Sequence, residues 1–168
     1  MTTQPIFKTF VVVSKRQTTP ESFSGKIRFV YLNKKNIWGI KEIWITKTEK
    51  VRISDMERTI IDALSHPEYC GGIPEIAKGI WLVKEKINFD RLVKYVEKYS
   101  KNVIAKRLGY ILDILKINDE KTRAKLKKFI RNRYDLFDPT VDKKSVGKNK
   151  WRLVDNIGRE QIKKIIFY

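Results

Sequence analysis

The first residues to test for chemistry are the only histidine and the only cysteine of this 168-residue chain. His66 lies four residues before Cys70. A catalytic Cys/His pair needs both side chains in hydrogen-bond reach and a third group that orients the imidazole. The sequence around the pair is instead typical of a helix end and a turn, where the helix dipole favours a histidine. We therefore expect no catalysis here, no metal held by histidine and cysteine, and no internal disulfide.

Carboxylates offer a second kind of chemistry, because metal-dependent nucleases and nucleotidyltransferases hold their ions on paired acidic side chains. The Asp-x-Lys triplets at 119–121 and 142–144 fall at a predicted helix start and in a predicted loop, not on adjacent strands. Asp55, Glu57 and Asp62 cluster on one predicted helix. These three are the first candidates for an oxygen-liganded magnesium site.

Glycine-rich phosphate loops do not account for the sequence either. The pair Gly71-Gly72 is not followed by the paired aspartates of a nucleotidyltransferase, and there is no Gly-x-x-x-x-Gly-Lys motif. The sequence therefore predicts a protein that is not an enzyme and has no cofactor or bound metal. The alternative is a metal-dependent enzyme that processes nucleic acid or nucleotides.

Lysine and arginine give the most distinctive pattern. The chain has 37 Lys and Arg against 19 Asp and Glu, a net charge of +18. Residues 1–90 contribute +5 of this charge, and residues 91–168 contribute +13. A surface of this sign attracts polyanions, of which nucleic acid is the default.

Two basic clusters in the second half are the candidate nucleic-acid contacts. The first places seven charges within thirteen residues: Lys121, Arg123, Lys125, Lys127, Lys128, Arg131 and Arg133. The second consists of Lys143, Lys144, Lys148, Lys150 and Arg152. Such segments pair with phosphates and give a salt-dependent affinity that is independent of base sequence. Nothing in them resembles a recognition helix that reads base edges, and a solvated charged face is the alternative.

The elements that must hold these residues predict an α+β fold in a single domain. Residues 1–53 alternate like strands and predict a small, mostly antiparallel sheet. Residues 54–131 have helical periodicity and predict a bundle of about five helices. Residues 132–168 predict a short β/α segment with a mobile loop at 141–150. Four tryptophans are expected to anchor the core or its margin: Trp38, Trp44, Trp81 and Trp151.

Capping residues predict where the helices begin. Ser54 and Glu57 match a capping box, in which each side chain accepts a hydrogen bond from the backbone N–H of the other residue. Asn88 and Asn102 fit the N-caps of a third and a fourth helix. Residues 118–120 open a fifth helix that is predicted to run to about residue 131.

Several residues inside and between the helices indicate structural roles. Arg58 and Asp62 are four residues apart and can pair along the first helix. Gly71-Gly72 permits a tight turn. Gly109 lies within the fourth helix at a cost of about 1 kcal/mol relative to alanine, which indicates close packing there. Arg107 is expected to be structural rather than a ligand contact.

Three segments, in this order, resemble a known protein family. They are residues 53–73, residues 105–112, and residues 138–139 followed by 150–153. Over about residues 7–157 the chain resembles the AbiEi-type antitoxins and predicted transcriptional regulators of type IV, abortive-infection toxin–antitoxin systems. The motif residues are expected to be structural: Ser54, Asp55, Glu57, Arg58, Asp62, Gly71, Gly72, Arg107, Gly109 and Trp151.

The resemblance implies an antitoxin that counteracts a nucleotidyltransferase-like toxin without necessarily forming a stable complex with it. In that family an N-terminal winged helix-turn-helix binds operator DNA, and this chain resembles the C-terminal domain. No capped helix pair precedes Phe7, so we expect either a fragment or a natural short form without the winged helix. DNA contact is then expected from the basic helices.

Cysteine content and the length of the apolar runs indicate the cellular location of the protein. One cysteine, no signal peptide and no transmembrane run predict a cytoplasmic protein without a membrane partner. A protein-interaction domain that works through homodimerisation or a toxin-related partner is the remaining alternative.

Overall fold

The chain divides at Ser54 and Asp55 into two units, and each is described by itself. A computed structural model describes residues 9–18, 27–117, 119–142 and 145–167. The first unit is Met1–Ser54 and the second is Asp55–Tyr168. The boundary lies within two residues of the predicted junction between strands and helices.

The first unit contains two separate pairs of strands. Strands β1 (Thr9–Val13) and β2 (Ile27–Tyr31) are parallel, whereas β3 (Ile40–Trp44) and β4 (Lys50–Ser54) form an antiparallel hairpin. The prediction of one mostly antiparallel sheet was therefore wrong for the first pair. The thirteen residues at 14–26 between β1 and β2 have the length that a crossover between parallel strands needs, whereas a tight hairpin needs far fewer.

None of the described residues at 10–18 and 27–54 is buried. Two-stranded sheets are marginally stable alone, because neither face is covered by a second layer. The β3–β4 hairpin is held mainly by its ladder and by a turn in which Thr46 Oγ1 accepts hydrogen bonds from Thr48 N (3.2 Å) and Glu49 N (3.0 Å).

The second unit is mainly helical. Its helices are α1 (Met56–Ser65), α2 (Ile73–Val83), α3 (Phe89–Tyr99), α4 (Asn102–Ile114), α5 (Glu120–Lys127) and α6 (Arg159–Phe167). A small sheet has the order β5-β7-β6, formed by β5 (Asp135–Leu136), β6 (Gly147–Lys148) and β7 (Leu153–Asp155). Strand β6 lies within the segment predicted as a mobile loop, and it pairs antiparallel with β7. The α+β fold class is confirmed.

The core of the second unit surrounds α4. Ile104, Leu108, Ile111 and Leu112 have no exposed surface, and residues 104–112 are buried on every side of the helix. The sequence predicted only one buried face for α4. Because the helix is enclosed, its polar side chains must also find partners inside the protein.

The predicted helix starts were partly right. Asn88 caps α3 by accepting a hydrogen bond from Arg91 N (2.9 Å). The cap of α1 is Asp55, which accepts from Arg58 N at 2.7 Å, whereas Ser54 is the last residue of β4. The predicted capping box is therefore wrong.

The fourth and fifth helices also depart from their predicted limits. Asn102 is the first residue of α4, and Lys101 occupies the N-cap position without a side-chain hydrogen bond. Asp119 caps α5, which ends at Lys127 rather than near residue 131. Among the helices described, none combines the length and the apolar character that crossing a bilayer requires.

Candidate nucleic-acid interface

Helix α5 holds the first basic cluster by burying one narrow face. Thr122 and Leu126 are buried, and Phe129 and Ile130 pack partly against the core beyond the helix end. Leu126, Phe129 and Ile130 therefore face the core. The basic side chains between them are consequently turned outward or along the flanks.

Two lysines of this cluster are paired with one carboxylate of α3. Lys125 Nζ lies 2.6 Å from Asp90 Oδ1, and Lys121 Nζ lies 4.0 Å from Asp90 Oδ2. The hydrogen bond from Lys125 and the charge of Lys121 lower the pKa of Asp90. Because Asp90 remains ionised, it offsets part of the positive charge on this flank.

Arg123 is a structural residue in this structure. Its Nη1 donates a hydrogen bond to Ile117 O (2.6 Å), and its Nε lies 3.6 Å from Asp113 Oδ1. Lys150 Nζ also reaches Asp113, at 2.9 Å from Oδ2, although most of its side chain is exposed. These two cations are therefore less available to a phosphate than their position in the sequence suggested.

Four other cations of the first cluster are exposed and form no ion pair with a described carboxylate: Lys127, Lys128, Arg131 and Arg133. Lys127 and Lys128 lie at the C-terminal end of α5, where the helix dipole favours a positive charge. Lys143 and Lys144 of the second cluster lie outside the described residues. The available charge is therefore concentrated after α5 and around the small sheet.

The small sheet gathers cations around one aromatic ring. Lys148 Nζ lies 5.0 Å and Arg152 Cζ lies 5.4 Å from the ring centroid of Tyr134. Arg152 Nη1 also donates to Tyr134 Oη at 3.3 Å. We call Arg133, Tyr134, Lys148 and Arg152 the Tyr134 cluster. Neighbouring strands create it, since Asp135 of β5 is opposite Leu153 of β7, and Lys148 of β6 is opposite Val154.

A tight turn between β6 and β7 sets the direction of the cluster. Asn149 Oδ1 accepts from Trp151 N (2.9 Å), and Arg152 N donates to Asn149 O (3.0 Å). Arg152 has a φ of +56° as a result. Trp151 points into the core while its neighbours Lys150 and Arg152 stay exposed.

Trp151 explains the glycine in α4. Its indole is fully buried, and Nε1 donates to Asp113 Oδ2 at 2.6 Å. A Cβ at Gly109 would overlap the six-membered ring of Trp151. The close packing predicted at Gly109 is therefore confirmed.

Arg107 forms three hydrogen bonds with backbone carbonyls of the second unit. Only 6% exposed, it donates from Nε to Phe137 O (3.0 Å), from Nη1 to Leu64 O (2.7 Å) and from Nη2 to Leu136 O (3.3 Å). Burial lowers its pKa, and nearby carboxylates oppose that change. One side chain thus fastens the end of α1 and the β5 segment to α4.

Lys106 is a buried cation that the sequence analysis missed. It has no exposed surface, and its Nζ donates to Arg133 O and to Asp135 Oδ2, the latter at 2.6 Å. Lys106 therefore holds the two residues on either side of Tyr134. The burial of Lys106 follows from the enclosure of α4 on every side. The sequence predicted only one buried face for this helix and therefore gave no reason to expect a buried lysine.

Gly72, the second glycine of the pair, meets a buried aspartate. Asp138 Oδ2 accepts from Ile73 N at 2.7 Å, so the carboxylate caps the start of α2. A Cβ at Gly72 would lie 2.7 Å from that oxygen, and Gly71 and Gly72 have φ values of +77° and +88°. The turn prediction is confirmed, and its reason is the approach of Asp138.

The three acidic candidates for magnesium each take part in a structural contact. Asp55 caps α1 and accepts from Tyr95 Oη (2.7 Å), and Glu57 accepts from Asn88 N (2.8 Å). Asp62 pairs with Arg58 Nε at 2.8 Å, as the spacing predicted. Among the described residues, no group of three metal-ligating side chains could hold an ion.

His66 and Cys70 are not arranged as a catalytic pair. His66 Nδ1 lies 3.1 Å from Glu68 Oε1, and its ring stacks on Tyr69. Partial desolvation and the charges of Glu68 and Asp62 raise the pKa of the Cys70 thiol. A nucleophilic cysteine needs the opposite shift.

An open groove of about 370 Å³ separates α3 from α5. It is lined by Asp90, Val93, Lys94, Glu97, Lys125, Lys128 and Phe129. Charges of both signs line it, so it does not favour an anion as strongly as the Tyr134 cluster does.

Comparison of the chain with protein-family models, with curated protein sequences and with solved structures gave no match.

Proposed function

We propose that this chain is a non-catalytic domain that contacts nucleic acid through the Tyr134 cluster and the exposed cations before it. The observation that carries the proposal is the cluster itself. Tyr134 holds Lys148 and Arg152 on a small sheet, while Lys106 secures the backbone of Arg133 from inside. The side chains of the available cations therefore face solvent from an ordered framework.

The biological role we propose is that of an antitoxin and transcriptional-regulator domain of a type IV toxin–antitoxin system in the cytoplasm. The ordered sequence resemblance motivates it. Four of the motif residues, Asp55, Glu57, Arg107 and Trp151, maintain contacts within the fold. The partner would be a nucleotidyltransferase-like toxin, opposed without a stable complex.

Duplex DNA binding tests the nucleic-acid part of the proposal. A fourfold variant, Lys127→Gln, Lys128→Gln, Arg131→Gln and Arg133→Gln, removes four exposed charges. The matched control changes four exposed lysines elsewhere in the second unit: Lys78, Lys86, Lys94 and Lys116. Fluorescence anisotropy of a labelled duplex is recorded at low and moderate salt.

We expect the fourfold variant to bind more weakly than the wild type and with a shallower dependence on salt, because fewer counterions are released. The control should keep a slope close to that of the wild type. Equal losses in both variants would show that only total charge matters. Wild-type binding that is absent at low salt would overturn the proposal.

Antitoxic activity is tested in cells. The wild-type chain should restore growth when a toxin from the same operon is expressed, and the fourfold variant should restore it less. Equal restoration of growth by the wild type and by the fourfold variant would favour the alternative, a protein-interaction domain.

One observation favours that alternative: Ile43, Ile45 and Ile53 leave an apolar face of the β3–β4 hairpin exposed. Light scattering would then detect a homodimer.

A further inference from the structure

Trp44 occupies a position that the sequence did not predict. All four tryptophans were expected in or near the core, yet Trp44 is 61% exposed at the end of β3. A large aromatic ring in water forgoes the free energy that burial would provide. An exposed ring of this size is therefore a candidate contact for a flat ligand.

The hairpin register surrounds this ring with cations. Trp44 is opposite Lys50, whose Nζ lies 4.4 Å from the ring centroid, and Arg52 follows two residues later on the same face. Exposed Lys47 lies in the connecting turn. The face also carries one acid, Glu42, opposite Arg52 and 3.8 Å from Lys50 Nζ.

The rest of the first unit repeats this combination of ring and cation. Arg16 Cζ lies 5.5 Å from the ring centroid of Tyr31, which is 46% exposed. Residues 1–54 contain 11 Lys and Arg against 3 Asp and Glu. A neutral or acidic protein surface is a poorer match for this face than a ligand that combines negative charge with flat rings.

We propose that Trp44 and the cations beside it bind single-stranded nucleic acid, with an unpaired base stacked on the indole and the adjacent phosphates near Lys50 and Arg52. Aromatic platforms bordered by basic side chains bind unpaired bases in this way, with little preference for sequence. Bases within a duplex are already stacked on their neighbours, so a flat exposed ring selects the single strand. This proposal does not depend on the Tyr134 cluster.

The test is a fluorescence titration of the full chain with an oligothymidylate of about twelve nucleotides, excited at the red edge of tryptophan absorption. Stacking should quench the emission of the wild type. Trp44→Phe should lose this quenching but keep most of the affinity, because phenylalanine still stacks. Trp44→Ala should bind about 5- to 150-fold more weakly, the range expected for one lost base–aromatic contact.

Two further variants test the net charge of this face and provide a control. Glu42→Gln should tighten binding, since it removes the one acid from this face. Trp81→Phe in α2 is the matched control, because Trp81 also has a lysine over its ring, with Lys84 Nζ 3.1 Å from the centroid. This variant should leave affinity and quenching by the oligonucleotide unchanged.

Three results would overturn the inference. They are an unchanged affinity in Trp44→Ala, equal competition by a duplex of the same charge, and a Trp44-dependent dimer that forms without the oligonucleotide. The fourfold Gln variant described above distinguishes the two proposals. If it loses duplex binding but retains oligothymidylate quenching, the exposed cations at 127–133 and the Trp44 face belong to separate sites.

Discussion

The two units use the same residue types in opposite ways. In the second unit Trp151 is fully buried and its neighbours meet solvent, whereas in the first unit Trp44 meets solvent beside a lysine. The second unit buries cations such as Lys106 and Arg107 against carbonyls, and the described part of the first unit buries no residue. Aromatic and basic content alone therefore does not indicate where a protein keeps its core or its ligand surface.

Replacing Trp151 or Trp44 with alanine should give the largest difference in the free energy of unfolding between the two units. Trp151→Ala should lower the free energy of unfolding by about 3–5 kcal/mol, because it leaves a cavity beside Gly109. Trp44→Ala should change it by no more than about 0.5 kcal/mol, as expected for an exposed side chain. Urea denaturation followed by circular dichroism measures both. Similar losses in the two variants would contradict the assignment of core and surface.

Arginine provides the next contrast. Arg107→Met should destabilise the second unit by about 3 kcal/mol, because two buried backbone carbonyls and one partly buried carbonyl lose their donor. Arg131→Met, on the exposed segment after α5, should have almost no effect on stability. Thermal unfolding of the two variants supplies the comparison. A stable Arg107→Met variant would mean that water satisfies those carbonyls.

Two glycines of α2, Gly72 at its N-cap and Gly79 within the helix, separate backbone strain from helix propensity. Gly72→Ala should cost about 1–3 kcal/mol, since the residue has a positive φ and its Cβ would crowd Asp138. Gly79→Ala should stabilise by up to about 1 kcal/mol, because Gly79 lies within α2 with open space around it. Opposite signs in urea denaturation would support this account, and equal signs would refute it.

The smallest effect concerns alkaline pH. Burial and the hydrogen bond from Tyr110 Oη to Asp155 Oδ2 raise the pKa of Tyr110 above its ordinary value of about 10. Above that pH the unfolded chain releases a proton that the folded unit retains, so the free energy of unfolding falls as the pH rises. This contribution is fully present below about pH 10.

Unfolding by urea between about pH 9 and pH 11 checks this linkage. Tyr110→Phe should show a shallower loss of stability than the wild type, because phenylalanine cannot ionise. Tyr31→Phe in the first unit serves as the matched control and should follow the wild-type slope. If the free energy of unfolding of Tyr110→Phe fell with pH as steeply as that of the wild type, ionisation of Tyr110 would not be the cause of the alkaline loss of stability.

Local signals predicted much of this fold. The α+β class, the N-cap at Asn88, the turn at Gly71-Gly72 and the tight packing at Gly109 all depend on residues near in sequence, and each is confirmed. For the two glycine positions, however, the residues that make glycine necessary are distant in sequence. Asp138 and Trp151 come from the C-terminal third, and no local pattern indicates that they contact Gly72 and Gly109.

The errors also have physical reasons. The apolar stripe of α4 did not reveal that the helix is enclosed, so Lys106 was overlooked. The charges of 121–133 appeared equivalent in sequence, yet Arg123 and Lys125 are used by Asp113 and Asp90 while Lys127 and Arg131 are not paired with a described carboxylate. Pairing between elements depends on tertiary distance, which periodicity does not contain.

The left-handed backbone of Arg152 has a consequence for how this chain could change over generations. Glycine or asparagine adopts a φ near +56° with less strain, and a longer side chain there costs roughly 1–3 kcal/mol. Substitutions at this codon that favour folding would therefore remove the guanidinium beside Tyr134. A protein that keeps arginine at this position is less stable but retains a positive charge at a defined place. Selection for thermal stability alone should therefore replace Arg152 with glycine or asparagine.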